Sequence, residues 1–365
     1  MADTLDKRIQ DALRTVLDPE MRIDLVTAGM VKRVEVSGSD AQVEIELTTP
    51  ACPLKEQIER EVRAALALVV GLKGLELSFS ARVRSGAAPA GAAPIAGIQN
   101  IVAVGSGKGG VGKSTVASNV AVSLARDGAR VGLMDADIHG PSVAMMFGLA
   151  SRQPEARGKR IVPFEVPLGG GMTPLKVMSM AFFLEDGQPV VWRGPMLHKV
   201  LQQFLHDVDW GELDYLVIDL PPGTGDVQIS LSQLVPIAGA LIVTTPQDVA
   251  LLDVRKAVTM FKKVNVPVLG VVENMGAFEC PGCHAVHPIF GEGGGKAFAE
   301  EVGVPFLGTI PLAAEVRVAG DSGRPLLATE TDSAAGRALR EAARRLAGQL
   351  SLRARAGYTH ELRVL

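Results

Sequence analysis

The strongest constraint on this chain is one run, Gly107-Lys108-Gly109-Gly110-Val111-Gly112-Lys113-Ser114-Thr115, placed after an apolar stretch at 101–104 and opening a helical pattern. Glycines there let the backbone turn its N–H groups inward around a phosphate, and the amino terminus of the following helix adds a favourable dipole. The context predicts a phosphate-binding loop between a strand and a helix. Further apolar runs at 131–134, 215–218, 240–243, 268–271 and 306–310 alternate with helix-length segments. Strands apolar throughout belong to a mostly parallel sheet covered by helices on both faces, so the expected class is α/β.

Ahead of that unit, residues 85–97 read Ser-Gly-Ala-Ala-Pro-Ala-Gly-Ala-Ala-Pro-Ile-Ala-Gly, without charge or hydrophobic periodicity, as expected of a flexible linker. It divides the chain into residues 1–84 and 98–365. In the first part Leu5, Ile9, Leu13 and Val16 recur at helical spacing, and Val43, Ile45 and Leu47 alternate with Glu44 and Glu46. With a turn at Ser37-Gly38-Ser39-Asp40, a helix over 54–70 and a strand over 75–83, the expectation is a small α-β-β-α-β domain.

Composition narrows the function classes. Of the 365 residues, 47% are hydrophobic and 21% charged, enough to bury a core. A net charge of −3 and an aromatic content of 4% argue against a nucleic-acid binder. The longest apolar run, 64–72, is about half of a membrane span, and residues 1–10 contain no hydrophobic segment, so the cytoplasm is the expected compartment. Residues 335–365 carry seven arginines against two glutamates, read as a terminal helix with a solvated basic face and not as a membrane or nucleic-acid contact.

In a phosphate loop of this spelling Lys113 would contact the β- and γ-phosphates and the Ser114 hydroxyl would bind Mg²⁺. Asp135-Ala136-Asp137 lies past the 131–134 run and before Gly140-Pro141-Ser142, at the carboxyl edge of the sheet where ligands gather. Asp137 is the candidate for positioning an attacking water. Asp219 ends the 215–218 run and precedes Pro221-Pro222-Gly223-Thr224-Gly225-Asp226, the arrangement of a Mg²⁺-binding carboxylate that feeds a mobile loop.

Lys108 is not required by an ordinary phosphate loop. It resembles the signature lysine of the deviant Walker A, or MinD/ParA-like, ATPases, in which nucleotide drives a face-to-face dimer. The resemblance implies that Lys108 reaches the phosphates of a partner subunit, and that Asn274 contacts adenine.

Cys280-Pro281-Gly282-Cys283 offers two thiolates to one metal centre, and a four-coordinate site needs two more ligands. His284 and His287 would complete a zinc site within one chain. A haem attachment, for which no export signal is visible, and a redox pair lacking its usual βαβ context are weaker readings. For an ATPase expected to dimerise, two cysteine pairs bridging one 4Fe–4S cluster is the most economical completion.

Taken together, the loop with Lys108, the Asp135 and Asp219 segments, Trp192-Arg193-Gly194-Pro195-Met196 and the two cysteines resemble the Mrp (ApbC-type) iron–sulfur cluster carriers over residues 98–350. The first domain is similar to one found in cytosolic iron–sulfur assembly factors, with Cys52 in Thr48-Thr49-Pro50-Ala51-Cys52-Pro53 as its candidate ligand or transfer thiol. One departure is His284, where the family pattern leads us to expect glycine. The resemblance implies an ATP-binding and ATP-hydrolysing homodimer that assembles a labile cluster and passes it between cluster-assembly scaffolds and apo iron–sulfur proteins. Alternatives are a MinD/ParA-like positioning ATPase and a zinc-stabilised regulatory ATPase.

Overall fold

The computed structural model describes residues 4–19, 22–85, 94–138, 140–183 and 194–361. Trp192, Arg193 and most of the expected linker lie outside the described residues.

The amino-terminal elements are α1 (Leu5–Leu13), β1 (Val31–Ser37), β2 (Asp40–Leu47), α2 (Lys55–Ala67) and β3 (Gly74–Ala81). They follow the predicted order. β1 pairs antiparallel and β3 parallel with the central β2. The apolar helix positions Ile9, Leu13, Ile58, Val62 and Leu66 are buried against Val43, Ile45 and Leu47 from the alternating strand. α2 stops at Ala67, short of residue 70: the Leu68 and Val69 N–H groups bond back only three residues, to Ala65 and Leu66, and Gly71 at φ +95° then turns the chain towards β3.

The second sheet has eight strands in the order β15-β12-β11-β4-β10-β5-β9-β8. The six apolar runs form β4 (Ile98–Ser106), β5 (Val131–Asp135), β10 (Leu213–Asp219), β11 (Ile237–Thr244), β12 (Val268–Glu273) and β15 (Phe306–Thr309), all parallel. Two further strands were not legible in the sequence. β9 (Leu175–Ser179) pairs parallel with β5, and its apolar pattern is broken by Lys176, whose ammonium donates to the Trp210 carbonyl at 2.8 Å. β8 (Phe164–Val166) is a three-residue antiparallel edge. The two-residue strands β6 (Ala156–Arg157) and β7 (Arg160–Ile161) form a separate hairpin.

Helices flank this sheet: α3 (Lys113–Arg126), α4 (Val143–Met146), α5 (Gly194–His206), α6 (Asp226–Leu234), α7 (Asp248–Lys263), α8 (Gly294–Val302), α9 (Ala314–Asp321) and α10 (Ala334–Glu361). α3 packs on α10, α5 on α6, and α7 on α8. The arginine-rich terminal helix spends its apolar side, including Leu339, Ala343, Leu346 and Leu350, on the main core. Arg344 pairs with Asp127 at 3.0 Å and Arg345 with Glu341 at 2.8 Å. Among the described residues no helix is long and apolar enough to cross a membrane.

The two sheets are joined through the loop after β2. Ala51 is buried in the core of the larger sheet, and the Tyr215 hydroxyl on β10 lies 2.9 Å from that of Thr49. At the other end of β10, Asp219 sits opposite Asp135 of β5, with β4 on the opposite flank. Strand register therefore delivers two carboxylates and the glycine-rich loop to one carboxyl edge of the sheet.

Candidate functional site

The loop between β4 and α3 has the shape its glycines predict. Gly110 and Gly112 take φ +79° and +80°, the left-handed region in which a Cβ is costly. Gly112 is fixed by space as well, since a Cβ there would lie 2.2 Å from the Asn274 amide nitrogen. The Ser106 hydroxyl donates to the Lys108 carbonyl at 3.0 Å, and the Gly223 N–H donates to the Ser106 carbonyl at 2.9 Å. These contacts bring the 221–225 segment beside the loop.

Lys113 is buried among acids. Its ammonium donates to Asp219 Oδ1 at 2.8 Å and to Ser114 Oγ at 3.2 Å, and lies 3.4 Å from Asp137 Oδ2. The sequence-predicted residues Lys113, Ser114, Asp137 and Asp219 are thus brought together. Lys108 is half-exposed at the mouth of the loop, with no carboxylate paired to it among the described residues.

Asp219 Oδ2 and Asp137 Oδ1 are buried without a hydrogen-bond partner. Burial pushes the Asp219 carboxyl up, while Lys113 pulls it down. Asp135 is also enclosed, and burial followed by the charge of Asp219 pushes its carboxyl up to about 7. Two carboxylates, Asp219 and Asp137, face the one ammonium of Lys113. Hard oxygen donors with unfilled lone pairs beside a serine hydroxyl fit Mg²⁺, which favours oxygen ligands.

Asp135 was placed at the ligand edge by the sequence but given no role of its own, and two further residues, Gln228 and Glu273, were missed. Asp135 accepts from the Asp137 and Val143 N–H groups at 3.1 Å each and from the Ser179 hydroxyl at 2.9 Å, so it organises the turn that presents Asp137. Its position as the first acid after an apolar run was the available signal. Gln228 donates to the carbonyls of Pro221 at 2.9 Å and Gly223 at 3.2 Å, bracing the segment after Asp219. Nothing in the local sequence marks it. Glu273, the other, ends β12 and is fully buried.

Asn274 follows Glu273, and its amide donates to the Val111 carbonyl at 2.9 Å. It lines a cavity of about 250 Å³ with Gly112, Thr115, Met275, Leu312 and Ala313. The cavity opens beside the phosphate loop and is mostly apolar, with Asn274 as a polar group on its wall, an arrangement suited to a flat base.

The cysteines sit on a short hairpin, β13 (Phe278–Glu279) and β14 (Val286–His287). The His284 N–H donates to the Cys280 carbonyl at 2.8 Å and the Cys280 N–H to the Ala285 carbonyl at 2.9 Å, closing the turn. Cys280 is half-buried and Cys283 exposed. The N–H of Cys283, then that of Gly282, holds the Cys280 thiol below its usual range, which favours the thiolate that binds metal. His284 takes φ +58°, which explains why glycine is the residue expected there. Its ring engages Glu279 at 2.8 Å and is exposed. Among the described residues, no group of three His, Cys, Asp or Glu is disposed to hold a metal, so His284 and His287 do not gather around the cysteines.

Residues 97–347 match the family described as NUBPL iron-transfer P-loop NTPase, and residues 6–76 match the iron-sulfur cluster assembly protein family. The chain is 52% identical over 355 residues to an iron-sulfur cluster carrier protein of Deinococcus radiodurans, covering 97% of this chain and 98% of that one. A protein of the same name from Escherichia coli is 37% identical, covering 95% and 93%. Among solved structures, a nucleotide-binding protein of Archaeoglobus fulgidus in complex with ADP is 39% identical at a TM-score of 0.54, over 62% of this chain and 87% of that one. The MinC:MinD complex of Aquifex aeolicus is similar in fold, at 23% identity and a TM-score of 0.50, over 68% and 96%.

Proposed function

Because this chain belongs to the iron–sulfur cluster carrier family built on an iron-transfer P-loop NTPase, we propose that it is an ATP-hydrolysing homodimer that holds a 4Fe–4S cluster between two subunits and delivers it to apo-proteins. The observation that carries this reading is the hairpin: Cys280, half-buried and tuned towards thiolate, and exposed Cys283 share one turn, with no further metal-ligating group gathered on them among the described residues. Four-coordinate thiolate ligation is then completed by the same pair from a second copy. The cluster is cargo.

At the nucleotide site the backbone N–H groups of residues 107–115 and the Lys113 ammonium bind the phosphates, and Asn274 faces the base. An incoming phosphate competes with Asp219 for Lys113 and frees the carboxylate. Ser114 and Asp219 would then hold Mg²⁺, which neutralises developing charge on the phosphates. Asp137 orients the attacking water. Lys108 reaches across to the partner's nucleotide, which ties hydrolysis to dimerisation. Movement of the 221–225 segment on hydrolysis repositions the subunits and changes how tightly the cluster is held.

The test is anaerobic reconstitution with iron and sulfide, following visible absorbance and oligomeric state for the wild type and for Cys280→Ala/Cys283→Ala. A brown dimer lost in the double variant is expected. A colourless wild type holding stoichiometric zinc that the double variant loses would overturn the carrier reading in favour of a zinc-stabilised ATPase, and ATP-dependent pelleting with liposomes or DNA would favour a positioning ATPase. If Lys113→Ala transferred cluster as fast as wild type in the presence of ATP, hydrolysis would not drive delivery.

A further inference from the structure

The cysteine hairpin is mostly exposed from Glu279 to Ile289, so little of it packs on the body of the protein. Its two ends, however, converge on one buried side chain. Where the chain leaves β12, Glu273 receives the Ile310 N–H on its carbonyl at 2.8 Å. Where the chain returns as α8, Glu273 Oε2 accepts the Gly295 N–H at 2.6 Å, while Oε1 accepts the Thr309 hydroxyl at 3.2 Å. A carboxylate at a helix amino terminus is favoured by the exposed N–H groups and the helix dipole. The approach is close: a Cβ on Gly295 would sit 2.9 Å from that of Glu273.

The neighbouring residues face the other way, towards the nucleotide cavity. Asn274 bonds the phosphate loop at Val111. Leu312 lines the cavity and donates its N–H to the Ala277 carbonyl at 3.2 Å, in a bridge that pairs it with Phe278 at the foot of the hairpin. A base filling the cavity presses on Asn274 and Leu312, and both belong to the segments that carry the hairpin. We infer that Glu273 is a positioning residue that clamps the two ends of the cysteine hairpin to the end of β12, so that occupancy of the nucleotide cavity is felt at Cys280 and Cys283. The inference rests on the nucleotide reading of the cavity proposed above. It concerns the thiols themselves and holds whether or not a cluster is loaded.

The experiment measures alkylation rates of Cys280 and Cys283 in the cluster-free full chain carrying Cys52→Ser, with and without Mg²⁺ and a non-hydrolysable ATP analogue. Nucleotide binding is followed separately by fluorescence. In the otherwise wild-type chain nucleotide is expected to change the rates by about fivefold or more, the lower range of ordinary coupling between sites. Glu273→Ala is expected to bind nucleotide and lose most of that change. Glu273→Gln, which can accept from Gly295 and donate to Thr309, keeps most of it. Gly295→Ala, which retains the carboxylate but forces the pair apart, weakens the change and serves if Glu273→Ala does not fold. An undiminished response in Gly295→Ala and in any folded Glu273→Ala, or no response in wild type with nucleotide bound, overturns the inference. Failure of wild type to bind nucleotide overturns the reading of the cavity, and the inference with it.

Discussion

The burial of Asp135 makes a specific demand on the stability of the nucleotide-free protein. Its carboxyl is raised from 3.8 to about 7, first by desolvation and then by Asp219. With the folded value above the unfolded one, the folded state binds more protons between them. Stability from this group is therefore complete below the unfolded value and is lost as pH rises through the folded one. Between pH 6 and pH 8 the loss works out at about one logarithmic unit, ~1.4 kcal/mol. For a unit of this size that is a fall of roughly 2–3 °C in Tm. Asp219, raised for the same first reason, adds in the same direction. Differential scanning fluorimetry without nucleotide should show the fall, and Asp135→Asn should flatten it relative to wild type. Adding Mg²⁺ and nucleotide should also flatten it, because the bound cation favours the ionised carboxylates. A Tm that is constant or rises from pH 6 to pH 8, or a slope unchanged in Asp135→Asn, would refute the reasoning.

Three further outcomes are expected. Lys113→Ala removes an ionised hydrogen bond of ~1.5–3 kcal/mol to the phosphates and should weaken nucleotide binding about tenfold or more, by isothermal titration calorimetry. Lys108→Ala should retain nucleotide binding yet lose the part of hydrolysis that rises with protein concentration; a steady-state rate that keeps its concentration dependence would remove Lys108 from the partner's site. Cys280→Ser and Cys283→Ser should each abolish the visible band after reconstitution while leaving nucleotide binding intact, and a retained band in either would place the cluster elsewhere.

The parts of the structure that were legible in the sequence are those with strong local signals. Strands apolar on both faces, a glycine-rich turn and acids at strand ends identify the sheet and the phosphate edge because parallel strands must be buried throughout. The paired cysteines were equally plain. β8 and β9 escaped because an edge strand needs few apolar residues and because Lys176 interrupts the run. Gln228 and Glu273 escaped for a different reason. Each acts through partners distant in sequence or on backbone atoms, such as Gly295 and the Pro221 carbonyl, and only folding brings those partners within reach. His284 shows the converse: a residue that looks like a ligand by spacing is, in the fold, a left-handed turn residue bonded to Glu279.

The contact between the two sheets lies on the strand that carries Asp219. Tyr215 is almost wholly buried, and its hydroxyl is paired with Thr49 from the loop that leads out of β2. Ala51 is likewise buried in the larger core. Loss of the smaller sheet would strip the cover from a tyrosine in the strand that ends at Asp219. Calorimetry is expected to show the two sheets melting together, and Tyr215→Phe, which removes the hydroxyl pair, to separate the smaller sheet's transition from the larger one's.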